Sequence, residues 1–221
     1  MSAPRRRSPA DIRMQLVEAA ARMLAEEGVE AVTARRVTAE VGTSTMAVYT
    51  HFGSMDELLA EVWREGFARF GAELERGAST DDPVADWMTQ GWGYRHFARR
   101  EPHLYKVMFG EGMLALRRGQ PESAEAAMAT FRSLLGRLER CVGAGRFAID
   151  DVVLAGEIVW AASHGHAVIE LTGYHEALGR DAVTAFREGL FRLAVGFGDE
   201  PDRARSSLDR SLRRARRAGL L

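Results

Sequence analysis

Residues 33 to 59 read TARRVTAEVGTSTMAVYTHFGSMDELL. Thr33 offers a capping oxygen to a short helix over ARRVTAEV, and Gly42 ends that helix because glycine enters a left-handed turn at little steric cost. A second short helix is predicted from Ser44 to His51 and is broken at Gly53. Ser54, Met55, Asp56 and Glu57 then form a capping box that opens a long apolar helix. Val37 and Val41, with Val48 and Phe52, recur at spacings that turn them inward to lock the two short helices together. Ser44, Thr45, Met46, Ala47, Tyr49, Thr50 and His51 are left with little to bury. Two short helices joined by a tight glycine turn form a helix-turn-helix, whose second helix enters the major groove of double-stranded DNA. Hydroxyls and an imidazole on that helix reach bases and phosphates, while Met46 and Ala47 can touch a thymine methyl.

Outward from this stretch the chain keeps a helical period. Ser8-Pro9-Ala10-Asp11 combines a capping oxygen, a proline suited to the first turn and an acid, so a helix begins at Pro9. Ile12, Leu16, Ala20, Met23 and Leu24 line one face of it, and Gly28 stops it. On the long helix after Ser54, predicted to reach residue 76, Leu58, Leu59, Val62, Trp63, Phe67 and Phe70 form the buried face. Further helices are predicted at about 83–99, 102–109, 121–143, 149–173 and 181–197, and no segment reads as a strand. The fold class is therefore all-α: an N-terminal three-helix DNA-binding domain followed by a C-terminal helical bundle.

The expected organisation is a basic arm at 1–8, a DNA-binding domain at 9–54 with its motif at about 33–52, a helical effector-binding and dimerisation domain at 55–198, and a flexible arginine-rich tail at 199–221. Net charge is only −1, so the whole chain does not announce a polyanionic partner. Its distribution says more, because Arg5, Arg6 and Arg7 stand together and residues 203–217 hold seven arginines against the single acid Asp209. In that tail Leu208 and Leu212 share one face and arginines the other; it is read either as solvated or as a contact for DNA or an acidic surface. Cys141 is the only cysteine, which excludes an internal disulfide and a cysteine-rich zinc site, and it falls in an apolar helical pattern. No apolar run nears the ~18 residues of a membrane span, and the basic N-terminus lacks a following apolar stretch. A cytoplasmic protein with no membrane contact, no metal and no cofactor is expected.

The stretch from Thr33 to Leu59 resembles the DNA-binding signature of TetR-type transcriptional regulators, and the helical remainder is similar in length and order to that family's ligand-binding, dimerising domain. The resemblance implies that Thr33 and Tyr49 contact phosphates, that His51 contacts the backbone beside them, and that Thr45, Met46 and Thr50 read bases. Two positions depart from the usual pattern. Met55 stands where the family carries a phosphate-touching lysine, and Thr38 replaces an alanine; Arg35, Arg36 or the arm arginines are candidates for the missing charge. VWAASHGHAVIEL, Val159 to Leu171, is similar to a Trp-x-x-x-His-Gly motif of the regulatory domain in one subgroup.

In a helix Trp160 and His164 share a face, whereas His164 and His166 diverge, which argues against a shared metal. His164 is read either as a core histidine or as an effector contact. WMTQGWGYRHFARREPHLYKVMF, Trp87 to Phe109, is dense in aromatics, and Met88, Met108 and Met113 lie in or near it. Trp63, Phe67, Trp92, His96, Tyr105, Met108, Phe131, Trp160 and His164 are accordingly the candidate walls of a pocket for a largely apolar small molecule, with packing as the alternative for each. The function expected is a homodimeric, ligand-responsive repressor on a near-palindromic operator, since one short reading helix touches too few base pairs while a twofold pair spans half-sites ~34 to 36 Å apart. The helices at 149–173 and 181–197 carry apolar residues on more than one face and are assigned to the dimer interface. The alternative from another class is an all-helical small-molecule-binding protein or enzyme using the aromatic pocket.

Overall fold

The computed structural model describes residues 8–77, 79–110 and 121–221; the arm arginines Arg5 to Arg7 and Met113 lie outside the described residues. Among the described residues there are eleven α-helices and no strand. They are α1 (Pro9–Glu27), α2 (Ala34–Val41), α3 (Met46–Phe52), α4 (Met55–Leu74), α5 (Pro83–Arg100), α6 (Pro102–Phe109), α7 (Pro121–Gly143), α8 (Val152–Leu171), α9 (Tyr174–Ala177), α10 (Ala182–Gly196) and α11 (Pro201–Arg217). The caps follow the predicted chemistry. Ser8 Oγ accepts the Asp11 N–H at 3.1 Å and the Asp11 carboxylate accepts the Ser8 N–H at 2.9 Å, closing a capping box ahead of Pro9.

Two compact units divide the chain, one of Met1–Ala68 with His103–Ala126 and one of Arg69–Pro102 with Ala127–Leu221. The border therefore falls inside α4 rather than at the predicted 54/55. In the first unit Leu16, Val17, Val37, Val48, Leu58 and Val62 are wholly buried. In the second, Trp87, Met88 and Trp92 of α5 share a core with Leu138, Cys141, Phe147, Phe186, Leu190 and Leu208. Gly93 lets the end of α4 approach α5, since a Cβ there would overlap the Glu73 carbonyl oxygen.

The C-terminal segment corrects the expectation of a flexible tail. Residues 201–217 form α11, which packs along α5. The Glu200 carboxylate caps it by accepting the Asp202 and Arg203 N–H groups at 3.1 and 2.9 Å. Ala204, Ser207, Leu208, Ser211 and Ala215 form its buried stripe. These are mostly small residues, so a helical period of three to four was present but masked by the arginine content. Three of its arginines are held as well. Arg210 reaches Asp82 at 2.7 Å, Arg214 pairs with Asp86, and the Arg205 guanidinium lies 3.6 Å over the Phe191 ring.

Asp82 and Asp86 also bind Arg146 and Arg140, at 3.5 and 2.8 Å. Burial alone would raise both carboxyls. The Ala85 N–H with Arg210 and Ser207 lowers Asp82, and Thr80 with Arg214 and Arg140 lowers Asp86, so both end below the ordinary 3.8.

Helix α8 brings a second correction. By length and composition alone its 20 residues are apolar enough to cross a membrane, whereas no such run was expected from the sequence. Only 28% of that window is buried. Ala155, Gly156, Val159, Ser163 and Ala167 face inward, while Leu154, Ile158, Trp160, Val168 and Ile169 are exposed.

Candidate nucleic-acid interface

The turn between α2 and α3 is built by Gly42, which takes φ +70° and returns its N–H to the carbonyls of Ala39 and Thr38. The Thr43 N–H follows onto the Thr38 carbonyl at 2.9 Å, so two of the last carbonyls of α2 are satisfied. Thr38, the departure from the family's alanine, is buried, and its hydroxyl donates to the Ala34 carbonyl at 2.7 Å within its own helix. The substitution thus leaves no orphaned polar group. Val37, Val41 and Val48 are buried as predicted. Phe52 is only half-buried; its ring faces the Arg13 guanidinium at 5.1 Å, and Arg13 in turn pairs with Glu61 at 2.6 Å.

Helix α3 begins at Met46, with Ser44 and Thr45 forming the turn before it: Ser44 accepts the Ala47 N–H at 2.9 Å and Thr45 the Val48 N–H at 3.3 Å, each through its carbonyl. The Thr45 side chain makes no capping bond, which leaves its hydroxyl exposed. Met46 is 64% exposed and Tyr49 47%, large values for apolar or aromatic side chains. Ser44 and Thr50 are exposed, Ala47 and His51 half-buried, and the His51 ring lies edge-on to Phe52 with centroids 6.3 Å apart. The helix therefore splits into one buried anchor, Val48, and an outward strip of hydroxyl, phenol, thioether and imidazole groups.

Around that strip, Thr33 Oγ1 accepts the Arg36 N–H at 3.4 Å, and Arg35 is exposed. Arg36, a candidate phosphate contact, is engaged elsewhere. Its guanidinium holds both Glu27 carboxylate oxygens, at 2.7 and 3.0 Å, and donates to the Ala31 carbonyl at 3.2 Å. Those hydrogen bonds hold the Glu27 carboxyl below its usual range. Arg36 fastens the end of α1 to α2, which leaves Arg35 as the outward cation of this pair. At the start of α4, Ser54 Oγ accepts the Glu57 N–H at 3.1 Å, with Met55 half-exposed.

Two family models match the chain in sequence order: "Bacterial regulatory proteins, tetR family" over residues 16–62 and "Tetracyclin repressor-like, C-terminal domain" over residues 87–193. The chain belongs to the TetR family. It is a DNA-binding transcriptional regulator. Among curated proteins it is 26% identical over 189 residues to the uncharacterized HTH-type transcriptional regulator Rv0681 of Mycobacterium tuberculosis, covering 83% of this chain and 80% of that one. It is 34% identical over 89 residues to the HTH-type transcriptional repressor AcnR of Corynebacterium glutamicum, covering 37% of this chain and 47% of AcnR. Among solved structures, a protein of unknown function from Rhodococcus sp. RHA1 superposes with a TM-score of 0.73 at 21% identity, over 90% of this chain and all of that one; this likeness speaks to the fold.

The nine candidate effector residues of this TetR-family chain fall into separate groups. Trp63, Phe67, Tyr105 and Met108 belong to the first unit, where Trp63 packs on Phe67 at 4.3 Å, Phe67 and Tyr105 both meet Phe109, and Met108 covers Gly66. This is tight core packing. In the second unit Trp92 Nε1 donates to Ser211 Oγ at 3.3 Å and its ring meets Phe186 edge-on, so it belongs to the α5–α10–α11 core. His96 is half-buried, and burial lowers its pKa. Phe131, Trp160 and His164 do come together: Phe131 meets Trp160 at 6.5 Å and Trp160 meets His164 at 6.3 Å. His164 Nδ1 lies 3.4 Å from the Tyr94 hydroxyl, and burial lowers its pKa, keeping it neutral near pH 7. Sequence reasoning missed Gln90, one turn before Tyr94 on α5 and almost wholly buried. It carried little signal in sequence, because α5 also buries the polar residues Asp86, Thr89 and Arg95.

Proposed function

We propose that the protein is a homodimeric cytoplasmic repressor that reads a near-palindromic operator with α3 and leaves it when a small, largely apolar molecule binds the second unit. The observation that carries this reading is the outward strip Ser44, Thr45, Met46, Tyr49 and Thr50, a set of exposed side chains on a helix anchored by Val48. Thr45, Met46 and Thr50 are assigned to base edges, while Thr33, Tyr49, His51 and Arg35 are assigned to phosphates. The exposed apolar face of α8 supports the dimer, because a stripe of Leu154, Ile158, Val168 and Ile169 costs hydration until a second copy covers it. α4 is continuous from Met55 to Leu74 and has residues in both units, so we assign it to carry the effect of effector binding to DNA affinity.

Selection from random duplexes followed by mobility-shift titration tests the reading. Recovered sites should be two-fold symmetric, binding should weaken steeply with salt, and Tyr49→Ala should cost at least about tenfold in affinity. Recovery of no preferred sequence, or binding indifferent to Tyr49→Ala and Thr45→Ala, would overturn it.

A further inference from the structure

A hydrogen-bond chain from Glu75, just past the end of α4, through α7 to α5 fixes the polarity of one buried group. Ser133 Oγ donates to Glu75 Oε1 at 2.5 Å, and the same carboxylate accepts Arg137 at 2.8 Å. With its single proton committed, Ser133 can only accept from Gln90, whose Nε2 lies 2.8 Å away. The amide orientation of Gln90 is thereby determined by its neighbours rather than assigned freely. Its Oε1 must face the other way. That oxygen is buried and has no hydrogen-bond partner, on a side chain only 4% exposed. Buried acceptors are nearly always satisfied, so an orphan at this depth points to a missing donor.

The surroundings describe that donor's carrier. Gln90 and Tyr94 share a face of α5. Tyr94 meets Phe70 of α4 edge-on at 5.1 Å and approaches His164 of α8. Phe131, two residues before Ser133 on α7, meets Trp160 of α8. Rings from four helices, Phe70, Tyr94, Phe131 and Trp160, are thus linked on the side of α5 and α7 that carries Gln90 and Ser133. Burial keeps His164 uncharged near pH 7, and Arg95, next to Tyr94, is paired with Glu170 through Nε and Nη2.

Resting on the reading of the second unit as effector-binding, we infer that its effector is an uncharged ring compound carrying at least one O–H or N–H, which it donates to Gln90 Oε1. A carboxylate or phosphate group facing this carbonyl oxygen would set negative charge against it, and a bare hydrocarbon ring would leave the oxygen as it is.

Phenol, anisole and benzoate separate the possibilities, since anisole keeps the ring and loses the donor while benzoate carries charge. Titrated into the full chain and read by tryptophan fluorescence and calorimetry, phenol should saturate at least about tenfold tighter than anisole, with no binding by benzoate. Gln90→Leu should erase the phenol preference, with folding checked by its melting temperature because the change also removes the Gln90 Nε2–Ser133 hydrogen bond; Gln90→Met serves if the leucine variant does not fold. Equal binding of phenol and anisole, tight binding of benzoate, or a preference that survives at Gln90→Leu would sink the inference. So would no binding of any of the three, the outcome of an acceptor satisfied by water alone. The readout needs no DNA. Phenol binding without operator binding would overturn the repressor reading only, and operator binding without phenol binding this inference only.

Discussion

Cys141 shows how far a single position can be read from its neighbours in sequence. An apolar helical pattern around it pointed to a small core residue, and the side chain is buried among Leu138, Phe147 and Ala204 in the core of the second unit. Burial pushes its thiol up to about 12, with the positive charge of Arg146 and Arg140 opposing only in part. Since the thiolate is the reactive species, the native chain at pH 8 should leave a disulfide-exchange reagent almost unconsumed and release one equivalent only on unfolding. Full reaction at the same rate with and without denaturant would contradict the burial. Arg36 illustrates the opposite limit. Nothing in ARRVTAEV reveals that one of its two arginines is held by Glu27, nine residues earlier, because an ion pair between elements depends on how they pack. The same holds for Phe52, whose spacing said inward but whose ring is shared with Arg13.

Helices were legible where an apolar stripe and a cap agreed, as in α1, α5 and α10, and α11 was missed where the stripe is made of alanine and serine. Its anchorage is partly ionic, through Arg210 to Asp82 and Arg214 to Asp86, and this gives it a pH dependence. Asp82 and Asp86 ionise below the ordinary 3.8, so the unfolded chain takes up protons first as acid is added. Their contribution is complete above pH 3.8 and is lost as pH falls through the lower folded values. His96 and His164 act earlier. Burial keeps both neutral when folded, so their part of the stability is present above 6.5 and declines as pH drops below it. Thermal melts from pH 8 to 3 should therefore show a shallow decline below 6.5 and a steep one below 3.8. Asp86→Asn leaves Arg140 and Arg214 without their buried carboxylate and should cost about 3 kcal/mol at neutral pH while flattening the steep arm. A melting temperature level across that range, or unchanged in Asp86→Asn, would show that α11 is held by its apolar stripe alone.

For the whole molecule, symmetry decides whether one short reading helix suffices. A single α3 offers only a few base contacts, so high specificity requires two copies at a set spacing, and the spacing must come from a surface that is self-complementary. α8 is the described helix that leaves the most apolar surface uncovered, with Leu154, Ile158, Val168 and Ile169 all exposed, and Gly165 sits open in the same stripe with nothing within 4 Å of a Cβ built on it. Part of this was visible beforehand, in apolar residues on more than one face; which face remained free depended on where α5 and α10 packed, and that is a property of the fold. Ile158→Asp places a charge in the centre of the stripe, where burial against a second copy would cost several kcal/mol, yet it adds nothing unfavourable to an isolated chain in water. Light scattering should then report a drop from twice 24.4 kDa to 24.4 kDa, with the melting temperature of the monomer still cooperative. Operator binding should fall by at least about a hundredfold and its salt dependence should halve, because each remaining complex neutralises half the phosphates. A variant that stays dimeric would move the interface off α8, and a monomer that binds the operator as tightly as the dimer would remove the geometric need for two reading helices altogether.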